Sequence, residues 1–211
     1  RRYKKKGDWM RDPFMGSGTS LMEALRLERN SGGIELQKTV AEDAVNRIET
    51  EKKDGVLSKV YAGDSRNINI ENIKEQIGIK NFQFVIFHPP YWDIINFSDD
   101  PDDLSNAQTK EDFLSGFGEI IDNTCTHLEK DRYCAVVIGD KYAKSELVPL
   151  GFNCMELFLE RGFKLKAIIV KNFEETKGKS NQRAIWRYRA LASDFYIFKH
   201  EYIMVFKKVK K

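Results

Sequence analysis

Three acids and two glycines raise the first chemical question. In "DPFMGSGTS" (12–20), Asp12 closes an apolar run, and Gly16 and Gly18 follow it. Glycines so placed let a backbone turn tightly and approach a ligand. A phosphate fits poorly. No lysine follows Gly18, as a Walker loop requires, and Leu21 stands where a dinucleotide fingerprint has its third glycine. Asp12 would repel a phosphate but suits a cation, an ammonium or a sulfonium. Glu35 lies nineteen residues past Gly16, the spacing at which an acid grips ribose hydroxyls. Asp64, in "AGDSRN", is placed to accept from an exocyclic amine. Any one of these acids alone reads as a turn residue. Taken in order, they describe a pocket for a nucleoside bearing positive charge, with S-adenosylmethionine (SAM) as the expected ligand.

A second stretch, "FVIFHPPYWD" (84–93), ends an apolar strand at His88, Pro89, Pro90 and Tyr91. The two fixed φ angles rigidify the backbone, and the rings beside them suit something flat. Trp92 and Phe97 are candidates to line a base pocket, with core packing as the competing account.

These residues need elements to hold them. Strand patterns at 8–14, 31–36, 56–64, 82–87 and 133–140 alternate with helical patterns at 18–29, 38–52, 68–78, 110–129 and 146–161. Ser17 or Thr19 is the expected cap of the first helix. Two closing strands, 164–170 and 201–207, have no crossover helix between them and read as antiparallel neighbours. The pattern predicts a doubly wound, Rossmann-like α/β sheet of about seven strands, mostly parallel with an antiparallel C-terminal strand. Residues 93–108 and 172–195 read as long loops, which are commonly functional or disordered.

With both motifs in view, the chain resembles the amino-methyltransferases of DNA, which methylate adenine N6 or cytosine N4. Their glycine motif D-P-F-x-G-S-G-T is matched throughout from Asp12 to Thr19, and their [D/N/S]-P-P-[Y/F/W] motif by Pro89, Pro90 and Tyr91. "HEYIMVFKK" looks like the family's closing strand. The resemblance implies a class I methyltransferase domain over 1–211. It implies SAM held by Asp12, Phe14, Gly16, Ser17, Gly18, Thr19, Glu35 and Asp64. It implies catalysis at His88, Pro89, Pro90 and Tyr91, no metal, and DNA methylation of the restriction-modification kind. Adenine N6 is favoured over cytosine N4. Three departures stand out: His88 replaces Asp, Asn or Ser; little chain precedes Asp12 for a helix covering SAM; and no separate target-recognition domain is seen. The chain opens with Arg1 rather than Met, so upstream residues are expected.

The chemistry asks for such a site. An exocyclic amino group is a poor nucleophile because its lone pair is delocalised into the ring. Accepting hydrogen bonds from both N–H groups favours a pyramidal nitrogen. The Pro89 carbonyl and the side chain at 88 are the expected acceptors. Tyr91 offers a stacking face worth about 1–3 kcal/mol, which offsets the unstacking of a base. His88 accepts only when neutral, so activity should have an acid limb. The alternative is that His88 marks a site that has lost its reaction.

Charge suggests the partner. Between Arg161 and Arg189, nine Lys/Arg face two acids; between Asp93 and Glu129, ten acids face one lysine. Lys179, Arg183, Trp186 and Arg187 mix cations with rings, as expected of a segment that grips nucleic acid, with a solvated strand as the plain alternative. A nucleic acid, DNA in the first instance, is the expected substrate, with a homodimer or partner subunit supplying target recognition. An RNA base methyltransferase, a protein glutamine methyltransferase and a non-catalytic binding subunit are the alternatives. Three cysteines without C-x-x-C spacing, no signal-like start and no membrane-length apolar run point to a cytoplasmic protein.

Overall fold

The structure is a computed structural model that describes residues 3, 5–143, 146–173 and 199–209. Its first half runs β1 (Trp9–Asp12), α1 (Thr19–Arg26), β2 (Asn30–Glu35), α2 (Lys38–Glu49), β3 (Ser58–Ala62), α3 (Ile70–Ile77) and β4 (Phe82–Phe87). Its second half runs α4 (Lys110–Thr126), β5 (Leu128–Ile138), β6 (Lys141–Ala143), β7 (Glu146–Val148), α5 (Leu150–Glu160), β8 (Lys164–Asn172) and β9 (His200–Lys207). Seven strands form one sheet in the order β3-β2-β1-β4-β5-β9-β8, and β6 and β7 form a separate hairpin. The first five are parallel, while β9 runs antiparallel to both β5 and β8. The expected fold class is therefore observed.

Local chemistry explains the elements. α4 opens with a capping box in which Thr109 and Asp112 exchange hydrogen bonds. α3 is capped by the Asn69 side chain and ends at Gly78 in the left-handed region. The cap of α1 differs from expectation. Gly18 itself, at φ 80°, is the N-cap, and no side chain caps the helix. The sharp left-handed turn brings the chain straight from the glycine loop into the helix. A side chain at Gly18 would also press on Ala44 of α2, 3.3 Å away.

Three buried clusters hold the layers. Phe113 and Phe117 of α4 and Phe158 of α5 pack with Phe87, Val136 and Phe206 of the sheet. α1 and α2 share Leu21, Leu25, Ala44 and Ile48. Trp9 and Phe82 meet Ile70 and Ile73 of α3. β4 thus buries Phe82 in one cluster and Val85 and Phe87 in another, as alternation requires of a central strand.

This order fixes where a ligand can lie. From β1 the chain winds outward to β2 and β3, then returns to β4 and winds the other way. β1 and β4 are the switch point, and the crevice beyond their C-terminal ends is where open α/β sheets bind ligands. The register pairs Arg11 with Val85, so the glycine loop and the HPPY stretch leave the sheet side by side.

Candidate active site

A cavity of about 1080 Å³ opens at that crevice. Its walls bring together Asp12, Phe14, Gly16, Ser17, Thr19, Glu35 and Asp64 with His88, Pro89, Pro90 and Tyr91, and it runs on past Met10, Phe84 and Ile86. Of the expected cofactor residues, Gly18 alone lies off the wall, as the N-cap of α1.

The glycine loop is folded by its own acids. Asp12 is 3% exposed. One of its oxygens accepts from the Phe14 amide at 2.9 Å, and the other accepts from the Ser20 hydroxyl. Both donors are neutral. Burial lifts the Asp12 pKa to about 6, Ser20 and Phe14 pull against that rise, and nearby Glu35 adds to it. Glu35 accepts from the amides of Gly16 and Gln37, each at 3.0 Å. That clamps the loop to the tip of β2, and burial pushes the Glu35 pKa up as well. Asp64 accepts from Arg66 and Asn67. Arg66 reaches on to Asp102 at 2.5 Å, which ties the 93–108 loop to the tip of β3. The same loop is tied to α2 where Gln37 donates to the Phe97 carbonyl at 3.1 Å. Ile94, Ile95 and Phe97 of this loop line the cavity and are about half exposed.

The residues fit SAM. A buried carboxylate with a raised pKa and only neutral donors favours a cationic ligand. Glu35, Asp64 and apolar walls complete a setting for a nucleoside.

At the tip of β4, Pro89 is buried and the His88 ring is exposed toward the cavity. Tyr91 is half-buried, its ring against Gly139, where a Cβ would meet it at 2.9 Å. Tyr91 Oη donates to Glu201 Oε2 at 2.6 Å and lies 3.4 Å from His88 Nε2. Lys171 Nζ donates to Glu201 Oε1 at 2.8 Å. Glu201 and Lys171 are direct cross-strand partners on β9 and β8. Tyr91 therefore reaches from the end of β4 across the end of β5 to a carboxylate on β9. Protein around the inner side of His88 displaces water and lowers its pKa below the usual value; Glu201 opposes this and Lys171 reinforces it. Burial, then hydrogen bonding to the Glu201 carboxylate, pushes the Tyr91 pKa far up.

Trp92 is placed otherwise than a base-pocket residue. Its backbone has φ 52°, its indole donates to the Ala107 carbonyl at 2.8 Å, and Lys141 Nζ sits 4.2 Å above its ring. Lys141 also pairs with Asp93. Trp92 anchors the start of the 93–108 loop and is not on the cavity wall. Lys179, Arg183, Trp186 and Arg187 lie outside the described residues, as does most of 172–195.

The sequence reading missed Ser20, Arg66, Lys171 and Glu201. For Glu201 a signal existed: an acid inside "HEYIMVFK", an otherwise apolar strand. For Lys171 there was none, because the β8–β9 register that pairs it with Glu201 is a three-dimensional fact.

Comparison with known proteins agrees with this geometry. A family model described as DNA methylase, for N6 and N4 methyltransferases, matches residues 1–46 and 82–211. Over 87 residues the chain is 34% identical to the type II methyltransferase M.MthZI of Methanothermobacter thermautotrophicus, covering 40% of this chain and 24% of that protein. The chain thus spans about a quarter of that curated relative's length. Among solved structures, a SAM-dependent methyltransferase from Methanosarcina mazei superposes with TM-score 0.63 at 12% identity, over 100% of this chain and 96% of the other. TrmN from Thermus thermophilus gives 0.60 at 14%, over 97% and 45%. The magnesium protoporphyrin IX methyltransferase ChlM from Synechocystis PCC 6803, with bound SAM, gives 0.58 at 10%, over 96% and 71%. At these identities the likenesses speak to the fold alone. Among the described residues no helix is long and apolar enough to cross a membrane.

Proposed function

The chain belongs to the DNA methylase family of N6 and N4 methyltransferases, whose cofactor is SAM, and from that premise we propose that it methylates an exocyclic amino group of a DNA base, adenine N6 before cytosine N4. The observation that carries the reading is the meeting of the glycine loop and the HPPY stretch on one cavity at the β1/β4 switch point. DNA is supported by the family description and by the type II methyltransferase relative.

When bound, SAM supplies a methyl group carried on a sulfonium. Asp12 gives its positive charge a carboxylate partner, and Glu35 and Asp64 face the nucleoside part. The Pro89 carbonyl and neutral His88 accept from the target N–H groups and orient the nitrogen lone pair. Tyr91 and the exposed Ile95 and Phe97 form an apolar surround for a base taken out of its stack. Residues 1–211 act as one domain in this scheme, with 93–108 and 172–195 contacting the substrate. Lys179, Arg183, Trp186 and Arg187 grip the nucleic-acid backbone, and a second copy or a partner subunit contributes target recognition.

Transfer of labelled methyl from SAM to duplex DNA, single-stranded DNA and RNA tests the reading, followed by analysis of the methylated base. Label in N6-methyladenine of DNA is the expected result. Label in RNA alone, or none with any acceptor, would overturn it.

A further inference from the structure

We propose that Glu201 is a positioning residue that fixes the tautomer of His88 through Tyr91, keeping His88 Nδ1 an acceptor for the target amino group. The inference rests on the reading above only for what Nδ1 faces. The tautomer itself follows from donors and acceptors.

Glu201 is 5% exposed and accepts at both oxygens, from Tyr91 and from Lys171. A carboxylate has no proton to give, so the single Tyr91 proton points at Glu201. The Tyr91 oxygen then offers only lone pairs to His88 Nε2. A neutral imidazole carries one proton. On Nε2 it meets a lone pair of Tyr91; on Nδ1 it would leave two lone pairs facing each other. The first arrangement wins, and Nδ1 keeps its lone pair. Tyr91 cannot easily swing away, because its ring is packed against Gly139. The 3.4 Å contact is long, as catalytic hydrogen bonds often are before substrate tightens them.

The charged and titratable groups around the ring come from three elements: Tyr91 beyond β4, Glu201 on β9 and Lys171 on β8. Lys171 completes the arrangement by holding Glu201 as the carboxylate, whose pKa stays below the usual value although burial opposes this. The device answers the departure at position 88. An Asp, Asn or Ser acceptor has no tautomer to set. A histidine does, and the hydrogen bond made by one ring nitrogen decides the state of the other.

NMR of ¹⁵N-histidine-labelled protein reads the tautomer directly, with the His88 signal assigned from H88N. The wild type should show the Nε2–H form above the His88 pKa. Glu201→Gln keeps the shape but adds a donor, and Tyr91→Phe removes the link, so both variants should shift the ring toward Nδ1–H or a mixture. In E201Q, kcat should fall at least tenfold while Kd for SAM stays within twofold. In an H88N background the same change should cost less than threefold, since an Asn carboxamide has no tautomer to set. An Nδ1–H wild type, or an unchanged ring in both variants, overturns the proposal. So does an equal E201Q loss in the H88N background. If the tautomer shifts as expected but no acceptor is methylated, the substrate reading fails and the Glu201–Tyr91–His88 link stands.

Discussion

Asp12 at the glycine loop and Glu201 behind Tyr91 are both buried carboxylates, at 3% and 5% exposure, yet their surroundings treat the charge in opposite ways. Asp12 accepts only from an amide and a hydroxyl. Arg11, next in sequence, turns its guanidinium over the Phe82 ring 5.1 Å away, and its pull is the weakest influence on Asp12. The Asp12 pKa accordingly climbs to about 6. Glu201 has Lys171 directly opposite, and its pKa falls below the usual value although burial acts against it. A carboxylate buried without a counter-ion is set to receive a cation from outside. One buried with its counter-ion is set to hold other parts of the chain.

The largest effect should come from removing the first of these charges. Asp12→Asn keeps an oxygen for the Phe14 amide and an amide for Ser20, but takes away the partner of a cationic ligand. Losing one member of a buried pair costs about 3–5 kcal/mol, so Kd for SAM should rise at least 100-fold by calorimetry. The free protein should respond the other way. The rise from the ordinary 3.8 to about 6 corresponds to about 3 kcal/mol of strain above pH 6. A raised carboxylate pKa means that this cost is absent below about pH 4, grows as pH rises and is complete above about 6. At pH 7.5, D12N should therefore melt higher than wild type, on the order of 5 °C. E201Q should melt lower, because it removes the negative charge that pairs with Lys171. A D12N protein that melts lower than wild type breaks the contrast.

The next effect separates the two ends by pH. Protonating Asp12 removes the cation's partner, so Kd for SAM should rise about fivefold from pH 6 to pH 5. The His88 limb belongs to kcat at saturating SAM and lies below the ordinary 6.5, since burial lowers its pKa. H88N supplies an acceptor that does not titrate, so it should keep the Kd limb and lose the kcat limb. A kcat limb that survives in H88N assigns the titration to another group.

The same contrast explains what could be read without coordinates. The glycine end is local: Asp12, Gly16 and Glu35 act on each other within 23 residues, and the motif carries the geometry with it. The β4 end is half local. Tyr91 and His88 are three apart, but Glu201 is 110 residues beyond Tyr91, and only the β5–β9–β8 pairing brings it there. Misread boundaries have similar causes. β5 begins at Leu128, five residues before the expected start, because "EKDR" looks like a loop. Asp131, at φ 62°, makes an irregularity inside the strand, and the pairing with β4 skips from Leu128 to Tyr133. α5 starts at Leu150 and not at 146, because Pro149 sits at its N-cap and the residues before it pair as the β6–β7 hairpin.

Asp64 gives the smallest and sharpest test, because it lies on the cavity wall yet resembles Glu201 in carrying its own cation. Arg66 grips it at 2.9 Å and extends to Asp102, so one guanidinium links the tip of β3 to the 93–108 loop. Asp102 is more than half exposed, and exposed pairs contribute about 0–1 kcal/mol. Asp102→Ala should therefore leave the melting temperature within about 2 °C. What it should change is the loop wall of the cavity, formed by Ile94, Ile95 and Phe97. With that tie cut, SAM should dissociate about two- to fivefold faster in a stopped-flow chase while its association rate holds, which matches a loss below 1 kcal/mol. Since Asp64 keeps Arg66 in this variant, the limb that Asp12 gives to Kd should stay where it is in the wild type. A Kd limb displaced in D102A would show that Asp12 is not set apart by lacking a counter-ion.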